Sequence, residues 1–170
     1  MAADDTIRVE FVCPKNAGRS QMAAGFARRE RRERNLEDVV EINSAGTSPA
    51  DSVHDVVVEA MAEVDIDVSD RTPTYVVLDD LEESHFVITM GCQVPEFNPE
   101  HYGVESRVWD LPNPEGEDIE TVRPIRDEIE RRVESVFDEI EAIAEERSTE
   151  VSLSKRVLNA ITSALGSNGP

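Results

Sequence analysis

Eight consecutive residues, Cys13-Pro14-Lys15-Asn16-Ala17-Gly18-Arg19-Ser20, combine the types and spacing best suited to chemistry in this chain. A cysteine and an arginine with five residues between them can close a loop whose backbone N–H groups face inward. Such a loop is an anion nest, favoured further when a helix begins at its end. The Arg19 guanidinium can then fork two oxygens of a tetrahedral oxyanion. A thiol at such a positive focus ionises readily, with pKa values of about 3.5–7.5 known in comparable settings. The Cys13 thiolate then lies beneath the anion, in line with its central atom. The hydroxyl of Ser20 is placed to donate to that sulfur. Spacing alone is a weak signal, since a buried strand cysteine followed by a surface arginine also produces it. It becomes specific when a strand precedes the loop and a helix follows.

The flanking sequence supplies both. Residues 6–13 alternate Ile7, Val9 and Phe11 with Arg8 and Glu10, which predicts a strand ending at Cys13. Residues 19–34 carry Met22, Ala23, Phe26 and Ala27 at helical spacing. Their far end holds Arg28, Arg29, Arg31, Arg32 and Arg34, interleaved with Glu30 and Glu33, which reads as a solvated face suited to a helix C-terminus. Further strands are expected at 39–43, 85–90 and 107–111, and helices at 53–64, 79–84 and from 122 to about 143. Strands alternating with helices predict an α/β fold with a parallel sheet. The acids fade after Glu150, so residues 148–170 read as an extension to a single domain at 1–147. Leu153, Val157, Leu158, Ile161 and Leu165 can line one helix face there, and the segment is left unassigned.

Composition narrows the partners. The 170 residues hold 37 Asp+Glu against 17 Lys+Arg, a formal charge of −20, which argues against nucleic acid as a ligand. No apolar run is long enough to span a membrane, and residues 1–6 are too polar for a signal peptide. The two cysteines, Cys13 and Cys92, point to a reducing cytoplasm rather than a disulfide scaffold. His54, His85 and His101 are scattered and predict no metal site, and no glycine pattern implies a nucleotide cofactor. Only Lys15 and Lys155 are lysines. Abundant acid with scarce lysine suits a very salty cytoplasm, where a Debye length of about 3 Å at 1 M screens the self-repulsion.

Phe11-Val12-Cys13, Asn16 and Arg19-Ser20-Gln21-Met22-Ala23 together resemble the phosphate loop of the low-molecular-weight protein tyrosine phosphatase superfamily. The Arg-Ser-Gln-Met-Ala form is that of its arsenate reductase branch, and with the acid excess it suggests a halophilic archaeon. The resemblance continues through Ser44-Ala45-Gly46-Thr47, Met90-Gly91-Cys92 and Trp109-Asp110-Leu111-Pro112-Asn113-Pro114, and covers residues 7–143 in order. It implies four parallel strands in the order 2-1-3-4 flanked by helices. It also implies Cys13 as nucleophile, Arg19 as oxyanion ligand, Ser20 as support of the thiolate, and Asn16 as holder of the loop, tied to Ser44. In the arsenate branch a second cysteine, matching Cys92, attacks the thiol-arsenate adduct and leaves a disulfide.

Three departures qualify the resemblance. No third cysteine follows Cys92, so an external thiol or thioredoxin-like protein must reach the disulfide directly. The family's general acid, the Asp of an Asp-Pro pair, is Asn113 here, with Asp110, Glu115 and Asp118 as possible substitutes. Ala24 stands where a Glu often follows, which removes the basis for a monovalent cation site. The expectation is therefore a thiol-dependent arsenate reductase with no bound cofactor. A phosphatase for phosphate monoesters is the alternative, though Glu115-Gly116-Glu117 replaces its aromatic clamp, and a non-catalytic oxyanion-binding regulator is the third.

Overall fold

The computed structural model describes residues 5–166; the polar start at 1–4 and the terminal residues 167–170 lie outside the described residues. Strand β1 (Ile7–Cys13) is the spine, with six of its seven positions buried. It pairs with β2 (Val40–Gly46) on one side and β3 (Phe86–Thr89) on the other, and β4 (Glu105–Val108) lies outside β3. The order is β2-β1-β3-β4 with every pair parallel, so the α/β expectation and its 2-1-3-4 order hold. The helices are α1 (Arg19–Glu33), α2 (Asp55–Ala62), α3 (Leu78–Glu82), α4 (Pro99–Tyr102) and α5 (Ile119–Gly166).

Alternation along β1 sorts its side chains between two layers. Val9, Phe11 and Cys13 face the large core with Phe26 of α1, Met61 of α2 and Ile129 and Phe137 of α5. Burying each large side chain there is worth about 1.5–3 kcal/mol. The other face is thinner, closed by Val12, Val87, Val104 and Leu81 of α3. Glu10 is buried in the middle of the sheet, opposite Asn43 and Val87.

The arginines at the end of α1 do more than face solvent. Arg29 grips Glu130 at 2.9 Å, and Arg34 reaches Glu30, Asp138 and Glu141 at 2.9 Å each, clamping α1 to α5. Arg126 similarly ties α5 to α2 through the Ala60 carbonyl (2.9 Å) and Glu63 (2.7 Å).

Several boundaries differ from expectation. β4 begins two residues earlier than the 107–111 expected, because three of its four residues are exposed and Trp109 and Leu111, which carried the apolar signal, lie beyond it. β2 runs on to Gly46, since its small residues still pair with Phe11–Cys13 of β1. α4 buries no residue and has no periodic signature. α5 continues without a break through residue 148.

The chain leaves β1 towards β2 on one side, while β3 is its neighbour on the other. Loops diverging from such a switch point leave a crevice at the carboxyl ends of the strands. Cys13 closes β1 on that edge, and Gly91 and Cys92 follow β3 beside it.

Candidate active site

The loop after β1 turns its carbonyls outward. Those of Cys13, Pro14, Lys15 and Ala17 accept from the backbone N–H groups of Thr47 (3.3 Å), Ser48 (2.8 Å), Ala50 (2.9 Å) and His54 (3.0 Å). The Gly18 carbonyl starts α1 by accepting from Met22 N at 3.0 Å, and that of Asn16 accepts from Gln21 Nε2 at 3.0 Å. Residues 47–54 thus form a hydrogen-bonded belt around the loop. None of the N–H groups of residues 15–19 donates to a protein acceptor among the described residues. Carbonyls engaged outside and N–H groups left to the concave side, at the start of a 15-residue helix, make an anion nest.

Asn16 is the keystone. It is fully buried with φ +50°, a left-handed conformation that asparagine tolerates better than most residues. Its Nδ2 donates to Ser20 Oγ at 2.7 Å, and its Oδ1 accepts from Thr74 N (3.0 Å) and Gln21 Nε2 (3.3 Å). The expected direct tie to Ser44 is replaced by Thr74, whose hydroxyl donates to the Ser44 carbonyl at 3.2 Å. Gly46 permits the close approach, because a Cβ there would lie 2.7 Å from the Pro14 carbonyl oxygen.

Cys13, 2 % exposed, places its Sγ 3.0 Å from Ser20 Oγ. Asn16 donates to that same hydroxyl oxygen, and once Cys13 is ionised the Ser20 hydroxyl can only donate to the sulfur. Arg19 is held from two sides: Nη1 donates to the Leu111 carbonyl at 3.1 Å, and Gly91 lies flat against the guanidinium. A Cβ at Gly91 would sit 2.5 Å from Nη1, and its φ of +75° also demands glycine.

Cys92 is half-buried and its Sγ contacts the Val12 carbonyl at 3.6 Å. Burial, and then the neighbouring charge of Cys13, push its thiol above the usual range, while the Met90 backbone and Arg19 act more weakly the other way. The two thiols therefore share one electrostatic neighbourhood, and both are free. Cys92 opens on a cavity of about 640 Å³ with Val94, Phe97, Trp109 and Asp110 in its walls.

The loop 110–116 covers the nest, with Pro114 packed so closely on Gly18 that a Cβ there would meet it at 2.8 Å. Asn113 Oδ1 accepts from Glu115 N at 3.1 Å, so this side chain shapes the loop. Of the three carboxylates named as substitutes for the missing acid, Asp118 caps α5 by accepting from Thr121 N at 2.9 Å, which holds it below the usual carboxylate range. Glu115 is exposed and lines no described cavity, whereas Asp110 lines the Cys92 cavity. The site also contains residues that spacing gave no reason to select: Thr74, Gly91 and the belt at 47–54. The positive φ demanded at Gly91 is the one local signal that a sequence could carry.

A doubly wound parallel sheet with a Cys-x5-Arg nest at its switch point defines a class of oxyanion-handling, cysteine-dependent proteins. The chain belongs to the low molecular weight phosphotyrosine protein phosphatase family, which matches residues 8–149. A Halobacterium salinarum protein described as "Putative arsenate reductase" is 52% identical over 139 residues, 82% of this chain and 96% of that one. The solved thioredoxin-dependent arsenate reductase of Corynebacterium glutamicum superposes with a TM-score of 0.67 at 33% identity, over 83% of this chain and 65% of that one. This chain thus spans slightly less than two thirds of the length of that structure. A solved arsenate reductase in its phosphate-binding state gives a TM-score of 0.65 at 31% identity, covering 79% and 99% of the two chains.

Proposed function

We propose that the protein is an arsenate reductase in which Cys13 and Cys92 supply the two electrons. The Cys13 thiolate attacks arsenic in the nest, an arsenate oxygen leaves as water, and a sulfur–arsenic bond forms. Cys92, having lost its proton, then attacks the Cys13 sulfur. The sulfur–arsenic pair stays on arsenic, reducing As(V) to As(III), and arsenite departs from a Cys13–Cys92 disulfide. Arg19 and the loop N–H groups hold the oxyanion throughout, and Ser20 steadies the thiolate.

The observation that carries this reading is the second thiol, its Sγ 3.6 Å from the carbonyl of Val12, the residue before Cys13, and open on a cavity that admits a reductant. Asn113 also bears on the choice. A phosphate ester must expel an alkoxide or phenolate, and a missing acid costs that step about 10²–10⁴-fold. Arsenate expels one of its own hydroxyls, and its second hydroxyl can supply the further proton with which that group leaves as water. With no third cysteine in the chain, the disulfide is reopened by an external thiol or thioredoxin-like protein attacking Cys92, the more exposed of the two sulfurs. Asp110 is the carboxylate placed to exchange protons at that mouth. The acid excess fits work in a salty cytoplasm, and the two free cysteines fit a reducing one.

The test is intact mass. Reduced protein in concentrated KCl, given arsenate and no added thiol, loses about 2 Da as the disulfide forms, and Cys92→Ser does not. An unchanged mass with both thiols shown reactive beforehand overturns the two-cysteine reading. The family match keeps phosphate monoester hydrolysis as the second reading, measured on an aryl phosphate in parallel.

A further inference from the structure

The family match ends at residue 149, but α5 runs on to Gly166. No glycine or proline lies between Pro124 and Gly166 to stop it. Every residue from 148 to 166 is exposed, including six large apolar side chains: Val151 (46%), Leu153 (54%), Val157 (58%), Leu158 (63%), Ile161 (51%) and Leu165 (74%). At about 100° per residue, these and Ala160 and Ala164 occupy about half the helix circumference. Lys155 and Arg156 stand at the two edges of that sector, with Ser152, Asn159 and Ser163 opposite.

Charge is segregated as sharply. All 37 acidic residues lie at or before Glu150 and none after it. Acid–acid repulsion between copies is thus confined to the body, and the arm past Glu150 carries only Lys155 and Arg156. The apolar sector also continues the stripe by which α5 packs on the sheet. Where the arm leaves the body, the two form an apolar notch of about 210 Å³ lined by Ile7, Val39, Ala144 and Val151, with Asp5 and Arg147 at the rim.

We infer that the arm is a self-association surface: two copies pair their arms antiparallel, each arm tip entering the notch of the other copy. Ala144 and Leu165 are 21 residues apart, about 31 Å along a helix. Antiparallel pairing about the middle of that stretch sets Leu165 of one copy against Ala144 of the other, and Leu158 against Val151. The exposed apolar residues offer roughly 600 Å² per chain, so two arms together can withdraw at most on the order of 1,200 Å², the size at which specific interfaces begin. In this register Lys155 and Arg156 lie opposite Ser154 and Leu153 of the other copy, so the cations of both copies gather near the two-fold axis, where concentrated salt screens them. A flat lipid surface fits less well, because the apolar sector faces the side on which the body itself projects.

The notch adjoins Ile7, at the amino end of β1, and Cys13 is at the carboxyl end, so the arm can be altered without touching the candidate site. Light scattering on the full chain in KCl should give twice the 18.9 kDa chain mass. Leu158→Glu with Ile161→Glu should give the monomer, with its melting transition and Cys13 alkylation rate retained. Orientation is read by cross-linking in a Cys13→Ser, Cys92→Ser background. Ala144→Cys with Leu165→Cys is too far apart to close within one chain and should form a covalent dimer on oxidation, whereas Leu165→Cys alone should not. A monomer at high concentration overturns the inference, and if that monomer floats with phosphatidylglycerol vesicles the arm's partner is lipid. Ready cross-linking through Leu165→Cys alone overturns the antiparallel arrangement.

Discussion

Glu10 ties the stability of this fold to pH. Its carboxyl is 2 % exposed in the middle of β1, and Oε2 has no hydrogen-bond partner. Burial raises its pKa from 4.5 to about 8, assisted by the charges of Asp80 and Glu41 and opposed by a hydrogen bond from Asn43. In the unfolded chain the carboxyl ionises near 4.5, so between that pH and 8 the folded state holds a proton that the unfolded state has released. Stability is therefore fully present below pH 4.5, falls as pH rises, and levels off above 8. The slope approaches about 1.4 kcal/mol per pH unit below the folded pKa, so raising pH from 6 to 9 costs on the order of 2–3 kcal/mol. Concentrated salt weakens the Asp80 and Glu41 contributions and leaves the burial contribution, the largest, in place. Glu10→Gln keeps the shape and the acceptor for Asn43 and removes the titration. Denaturant melts of both proteins at pH 6, 7, 8 and 9 in fixed KCl isolate Glu10, because every other group cancels in the difference. The variant should gain on the parent by about 2–3 kcal/mol across that range, and a difference flat with pH refutes the reasoning.

Gly91→Ala drives a methyl group into the Arg19 guanidinium at a position that also requires φ +75°, so kcat/KM for the oxyanion substrate should fall roughly 10²-fold while circular dichroism stays native. Ser20→Ala removes the hydroxyl 3.0 Å from Cys13 Sγ, and iodoacetamide alkylation of Cys13 at pH 7 should slow about tenfold, in keeping with one hydrogen bond to a charged group. Asn113→Asp keeps the acceptor for Glu115 N and restores a carboxyl, so aryl phosphate hydrolysis should rise about 10²-fold with arsenate-driven disulfide formation changed far less. Equal gains in both activities would show that the reductive step also needs an external acid.

The parts legible in the sequence are those in which a local pattern and a tertiary role coincide. β1, its loop and α1 announce themselves because apolar alternation, a Pro/Asn/Gly turn and helical spacing follow one another within 28 residues, and the same peptide makes both core and nest. Strand order came from the resemblance, not from any period. β4 starts ahead of its apolar signal because an edge strand with exposed side chains has no alternation to read. Thr74 gave no sign at all, because its contribution to Asn16 is a backbone N–H arriving from 58 residues away. The composition break near residue 150 marks where acids end, and the helix ignores it because helix continuation depends on backbone breakers, not on charge.

The loop's geometry explains why substrate class could not be read from its motif. Its specific contacts are N–H groups and one guanidinium, which phosphate and arsenate meet equally well as near-isosteric tetrahedral anions. Discrimination must come from what happens after binding, and there the two chemistries ask for different neighbours: a proton donor for an organic leaving group, or a second thiol for an electron pair. This chain has an amide at the first position and a sulfur at the second, half-buried beside the nest and open to the cavity. Exchanging those two properties, with Asn113→Asp and Cys92→Ser in one protein, should convert an arsenate-driven disulfide former into a hydrolase of aryl phosphates without any change in the loop. If the double variant, given arsenate and an external thiol, still produces arsenite as fast as the parent, the electrons do not come from Cys92, and the division of labour between loop and neighbours fails.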